Sequence, residues 1–321
     1  MKTTFAIAVT TWRQATRQPA YWIVLALGGA VIATSPLFAL FGLGEEEQLI
    51  ADLGLPTILL CGIFVAVSSC WTTVTAELED GRALALLATP TRPIMYVLGK
   101  YLGVVAALAV VAASLTVVLL ATLRGVSRQP ARWFWAILMV SCVPVVVGLV
   151  ARRRGGGSGA ETRAVLGLAV GGVVLFAASA LVGPVECCGS AEHAHGVGGW
   201  RWDVAAAGVL EWLELLVIAA IAVALSVRLP LVGTASVMAA TVVVGSLSNA
   251  MFFWLRSRVG VVAWVARVAV PNLDNFHVAS AVARGRALPA EAFVWAGAYG
   301  VLYAGAMLAV AAWLFSGREV K

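Results

Sequence analysis

Ala76-Glu77-Leu78-Glu79-Asp80-Gly81-Arg82-Ala83-Leu84-Ala85-Leu86-Leu87-Ala88-Thr89-Pro90-Thr91-Arg92, followed by Gly99-Lys100-Tyr101-Leu102-Gly103, is a short charged segment caught between two long apolar runs. Such a segment cannot sit in lipid, because each ionised side chain near the bilayer centre costs about 2.5–3.5 kcal/mol on insertion scales. It therefore lies on one membrane face, held by a span on each side. Glu77, Glu79, Asp80, Arg82 and Arg92 offer both charge signs, and Leu84, Leu86 and Leu87 supply an apolar face. The loop reads either as a contact for a soluble partner or as a solvated loop whose acids offset Arg82, Arg92 and Lys100.

The rest of the chain agrees with a membrane setting. Of 321 residues, 61% are hydrophobic and 12% charged, against about 25% charged in soluble domains. That leaves no room for a large soluble domain. The net charge of +6 fits cytoplasmic Lys and Arg flanking the spans. The basic residues are scattered and form no basic-aromatic stripe, which argues against nucleic acid as a partner. Of the five cysteines, Cys61, Cys70 and Cys142 sit in apolar runs as small buried residues, not as a disulfide scaffold.

Residues 1–20 read as an amphipathic helix lying on the membrane. Phe5, Val9 and Trp12 share one face, Arg13 and Arg17 another, and Pro19 marks a break. Arg13, Gln14, Arg17 and Gln18 precede any long apolar run, so the N-terminus does not read as a cleavable signal. Eight apolar segments follow, at about 21–43, 55–76, 97–123, 133–151, 164–183, 204–227, 231–255 and 292–315. A shorter stretch, 259–271, is too brief to span and fits a re-entrant or interfacial helix.

With the N-terminus inside, thirteen basic residues fall on the inner face and nine on the outer. The compact Arg152-Arg153-Arg154 block places its loop in the cytoplasm, and the loop Glu45-Glu46-Glu47 through Asp52, with no basic residue, fits the outside. An even number of spans then puts both termini inside. The Gly155-Gly156-Gly157-Ser158-Gly159 loop lacks the Gly-Lys-Ser/Thr of a P-loop, so the chain carries no nucleotide-binding motif of its own and does not read as an enzyme. No Ser/His/Asp or Cys/His catalytic set is visible either.

Three further groups stand out. Glu211 and Glu214 lie one helical turn apart inside an apolar run, where acids are functional candidates by default. They read either as part of a substrate or proton path, together with Asn249, or as protonated acids paired with Asn249 or Ser246. Glu186-Cys187-Cys188 and Glu192-His193-Ala194-His195 concentrate Cu- or Zn-type ligands in an outer loop, although the spacing of Cys187, Cys188, His193 and His195 matches no standard finger. Gly99-x-x-x-Gly103, Gly167-x-x-x-Gly171 and Ala296-x-x-x-Gly300-x-x-x-Ala304 are small-residue seams that let helices approach closely.

The order of these features resembles the permease subunits of type-2 ABC transporters. That family has an interfacial N-terminal helix, two spans, and a charged loop of the form Glu-x-Glu-x-Gly/Arg-Thr…Pro-x-x-Arg…Gly-Lys-x-x-Gly. Here Glu77, Glu79, Gly81 or Arg82, Pro90, Arg92, Gly99, Lys100 and Gly103 match it, with Ala83 near the place of the usual Thr. Pro271-Asn272-Leu273-Asp274-Asn275-Phe276 resembles the family's outer segment before the last span, and Leu314-Phe315-Ser316-Gly317-Arg318-Glu319 its ending. Ala222 through Pro230 looks like its break between the fourth and fifth spans. The likeness covers 1–123 and 204–321, with 124–203 as an insertion.

The resemblance implies an all-α integral membrane bundle: an interfacial helix at 1–20, then one transmembrane domain over 21–321 with six core spans plus an inserted hydrophobic pair. It implies a coupling loop at 77–96, using Glu77, Glu79, Arg82, Leu84, Leu87, Pro90 and Arg92 against a cytoplasmic ABC ATPase. That ATPase would hold the ATP and Mg, and this chain no cofactor. It further implies a second permease copy or homologue, an outer re-entrant segment at 257–290 acting as a lid, export across the plasma membrane, and both termini cytoplasmic. The rival readings are a secondary transporter or channel using Glu211 and Glu214, and a membrane enzyme with the outer Cys/His metal site.

Overall fold

The computed structural model describes residues 2–39, 46–79, 93–126, 202–256, 270–276 and 290–316. All regular structure among these residues is helical. Helix α1 is Lys2–Thr16 and α2 is Pro19–Ala39. Pro19 opens α2 at the one helical position where a missing N–H costs nothing. Helix α3, Glu46–Cys70, runs through a π-helical turn at Trp71–Thr75 into the short α4, Ala76–Glu79. Then come α5 (Pro93–Val126), α6 (Trp202–Ser226), α7 (Leu231–Ser246), α8 (Ser248–Arg256), a 3-10 turn at Leu273–Asn275, and α9 (Ala290–Ser316).

Among the described residues, five helical stretches are long and apolar enough to cross a membrane: Pro19–Pro36, Glu47–Thr75, Ile94–Leu123, Asp203–Ser226 and Glu291–Phe315. They match five of the eight expected segments, with two corrections. Glu46, Glu47 and Asp52, expected in an outer loop, instead belong to the first turns of α3, where carboxylates are favoured by the partial positive charge of a helix start. The segment expected at 231–255 is not one span: it breaks at Leu247 into α7 and α8. The inserted pair, 133–151 and 164–183, lies outside the described residues, as does most of 257–290.

Helices α3, α5 and α6 pack mutually and form the core, with α2 against α3 and α5, and α9 against α6. Helix α6 is the axis: 72% of its apolar span is buried, against 22% for α9. Without a hydrophobic drive between helices in lipid, close packing must hold such a bundle, and small residues permit it. At Gly62 an added Cβ would stand 2.4 Å from Leu215 Cδ1, and at Gly208 2.6 Å from Thr116 Oγ1. These glycines therefore let α3 and α5 close on α6.

Cross-contacts fix the directions. Gly28 meets Leu115 and Tyr21 donates to the Ala107 carbonyl at 3.2 Å, so α2 and α5 run alike. Gly54 meets Leu119 while Glu77 meets Lys100, so α3 runs against α5. Gly62 meets Leu215 and Thr75 meets Ser226, so α6 runs with α3. One end of the bundle thus gathers α1, Glu77, the start of α5, the close of α6 and the close of α9; it is termed the loop end below. The other gathers α8 and the turn at Leu273–Asn275 and is termed the far end.

Candidate functional site

The loop end is built around Glu77. A run of hydroxyl residues shapes the helix that delivers it. Thr72 donates to the Ser68 carbonyl at 3.1 Å, Thr73 to that of Ser69 at 2.7 Å, and Ser68 to that of Val65 at 3.2 Å. Such back-bonding competes with the regular ladder and bends helices. The ladder here widens: the Ala76 N–H reaches back to the Trp71 carbonyl, five residues earlier. Side chains of neighbouring elements hold the widened turn. Thr75 Oγ1 donates to the Ser226 carbonyl at 2.9 Å, and Gln18 Nε2 donates to Thr72 Oγ1.

Beyond the turn, Glu77 Oε2 accepts from Lys100 Nζ at 2.7 Å and from Tyr96 Oη at 3.1 Å. The Lys100 side chain is 4% exposed and that of Glu77 15%. Tyr96 and Lys100 are four residues apart on α5 and so share a face; the ammonium lies 5.5 Å from the tyrosine ring centroid. The ring in turn stacks on Phe315 of α9 at 5.2 Å. Arg228 donates to the Leu314 carbonyl at 3.1 Å, a cation on the unsatisfied end of a helix. The start of α3's extension, α5, α6 and the last turn of α9 are thus fastened at one place.

Helix α1 packs on α5 at the residues flanking this pair. An added Cβ at Gly99 would stand 2.9 Å from Ile7 Cβ and 3.0 Å from the Thr4 carbonyl oxygen; at Gly103 it would stand 2.6 Å from the Ala8 carbonyl oxygen. The Gly99-x-x-x-Gly103 seam therefore seats α1 backbone against α5. Helix α1 buries Thr11 and Ala15, leaving Phe5 72% exposed and Arg13 outward. Arg13 and Arg17 are exposed as expected, whereas Trp12, expected to share the face of Phe5, is half-buried against the core.

Of the expected coupling residues, Glu77 is placed by the structure and Glu79 ends α4. Arg82, Leu84, Leu87, Pro90 and Arg92 lie outside the described residues, as do Cys187, Cys188, His193 and His195. Among the described residues no group of three or more His, Cys, Asp or Glu is placed to hold a metal ion. Tyr96 and the Ser68–Thr75 hydroxyl run were not singled out from sequence. The four-residue spacing of Tyr96 from Lys100 was the available signal for the first.

Glu211 and Glu214 stand in α6, and Asn249 in α8. Both acids are buried within α6, 2% and 0% exposed, and among the described residues Glu211 Oε2 has no hydrogen-bond partner. Asn249 is exposed at the far end, where its Nδ2 donates to Asp274 at 2.5 Å and its Oδ1 accepts from Asn272 Nδ2 at 3.2 Å. Ser246 donates to the Val242 carbonyl at 2.8 Å.

The far-end cluster is otherwise neutral. Ser248 Oγ donates to Asn272 Oδ1 at 2.8 Å, Asn272 Nδ2 also reaches Asn275 Oδ1 at 3.4 Å, and the Asn272 N–H donates to Tyr299 Oη at 2.8 Å. Leu273 and Phe276 are fully buried beneath it. An added Cβ at Gly245 would stand 2.8 Å from Leu273 and 2.9 Å from the Pro271 carbonyl oxygen, so the turn rests directly on α7.

Comparison with protein-family models, with curated proteins and with solved structures found no match for this chain.

Proposed function

We propose that the chain is the permease subunit of an ATP-driven exporter of the type-2 ABC kind. In this reading a separate cytoplasmic ATPase binds the charged loop that follows α4, hydrolyses ATP with Mg, and drives translocation through a pair of permease subunits in the plasma membrane. The loop end, carrying both termini, faces the cytoplasm. The observation that carries the reading is the buried Glu77–Lys100 pair at 2.7 Å. It closes the base of a charged loop between two span-length helices, so a push on the loop reaches α3 and α5 together. The seating of α1 on Gly99 and Gly103 adds the N-terminal helix to the same unit.

The test is capture. A photo-crosslinker at Leu84 or Leu87 in native membranes is expected to trap a nucleotide-hydrolysing protein; failure at both positions removes the reading. A second reading, a secondary transporter or channel, draws on the buried Glu211 with its unpartnered oxygen. It gains if purified protein in vesicles moves a solute on an ion gradient with no ATP and no ATPase. It falls if Glu211→Gln with Glu214→Gln leaves that transport intact.

A further inference from the structure

The π-helical turn and the ion pair beside it work together. A π-turn accommodates one residue more than an α-helix over the same length, and such turns concentrate at functional positions. One residue is worth about 100° of helix phase. Without the extra residue in Trp71–Thr75, the unaltered sequence would turn Glu77 by about that angle away from Lys100. The turn is thus what aims Glu77 at the Lys100 ammonium and the Tyr96 hydroxyl. It has few interactions of its own to hold it open: Thr75 on Ser226, Gln18 on Thr72, and the hydroxyl back-bonds. Lys100, for its part, is 3% exposed, with Glu77 the one carboxylate within ion-pair distance among the described residues and the Tyr96 ring centroid 5.5 Å away.

We propose that the Trp71–Thr75 turn and the Glu77–Lys100 pair form a two-position latch, closed as seen and opened when the turn relaxes to α-helix and swings Glu77 off Lys100. The latch is the part through which a pull on the loop reaches the bundle. Opening frees the start of α5, and through Tyr96 and Phe315 the last turn of α9. The inference rests on the exporter reading for what does the pulling. Glu77, Lys100 and Tyr96 are then positioning residues: they touch no substrate and set when the halves of the loop base move apart.

Lys100 reports the latch directly, because the chain has only two other lysines, Lys2 and Lys321. The experiment is reductive methylation of inside-out native membranes, with and without Mg-ATP, and quantification of labelled Lys100 by peptide mass spectrometry. Protection without nucleotide and a several-fold rise in labelling with Mg-ATP are expected. Glu77→Gln should be labelled under both conditions. Deletion of Thr72 removes the extra residue while keeping Glu77 in phase, so Lys100 should stay protected under both. The wild-type comparison needs no variant, so a deletion that fails to accumulate cannot mask the result. Unchanged Lys100 labelling while Leu84 or Leu87 still traps an ATPase overturns the latch and leaves the exporter reading standing. Unchanged labelling with no ATPase trapped removes both. Lys100 protected in Glu77→Gln also overturns the latch, because the ion pair then holds nothing.

Discussion

At the loop end a lysine and a glutamate, both largely sealed from solvent, meet at 2.7 Å, and a tyrosine donates to the same carboxylate. At the far end Ser248, Asn249, Asn272, Asp274 and Asn275 hydrogen-bond one another mostly in the open. The two fastenings should fail in different ways. A buried ion pair is all or nothing, because deleting one partner strands the other charge at a cost of about 3–5 kcal/mol. A set of polar bonds near water, with Asp274 as its carboxylate, degrades in steps of about 0.5–1.5 kcal/mol. The first suits a join that holds until a definite force acts, the second a cover that yields gradually.

The sharpest way to break this contrast is Lys100→Met. It leaves Glu77 in its enclosed site, and a loss of about 3–5 kcal/mol is expected, read as a lower temperature at which the detergent-purified protein loses its monodisperse peak. Adding Glu77→Leu should recover most of it, since replacing both partners by apolar groups is close to neutral. A loss under about 1 kcal/mol would put the two ends on a par.

Next comes Gly103→Val, which drives a side chain into the Ala8 carbonyl and Thr11. Overpacking of this kind costs about 1–3 kcal/mol. The expected signature is faster tryptic cleavage at Arg13 and Arg17 as α1 lifts from α5. Gly305→Val is the control, because an added Cβ there meets nothing within 4 Å. Normal cleavage in Gly103→Val would mean that α1 is not seated by the seam.

At the far end, Asn272→Ala removes donations to Asn249 and Asn275 and an acceptor for Ser248. About 1 kcal/mol is expected, below either loop-end variant. The smallest effect is Asn249→Ala, about 0.5 kcal/mol, because its partners stay exposed to water. If Asn249→Ala destabilised as strongly as Lys100→Met, the far end would be the stiffer join and the comparison would invert.

Hydropathy made α2, α3, α5, α6 and α9 legible, because about 20 apolar residues in a row have few other places to go. It also flagged Glu77 and Lys100, but not their meeting, which depends on the π-helical phase of Trp71–Thr75 and on the antiparallel packing of α3 and α5. The acids at Glu46, Glu47 and Asp52 misled, because negative charge suits an exposed loop and a helix start equally well. The break at Leu247 carries no Pro, and the nearby Gly245 is an ordinary residue of membrane helices, so the 231–255 run looked continuous. A hydrophobic run gives depth along one helix but not where that helix stops or which way it faces.

The brevity of α7 has a consequence for the surrounding bilayer. Its 16 residues rise about 24 Å, while an average hydrocarbon layer is about 30 Å thick. Neighbouring α6, with 25 residues, rises about 38 Å. The hydroxyl of Ser248 follows α7 after only one more residue, and the amide of Asn249 comes directly after it. The acyl chains flanking that side must therefore dimple to keep them wet, at a fraction of a kcal/mol for each Å of mismatch. Short-chain lipids should accordingly gather along α7, and reconstitution should favour thin membranes over thick ones.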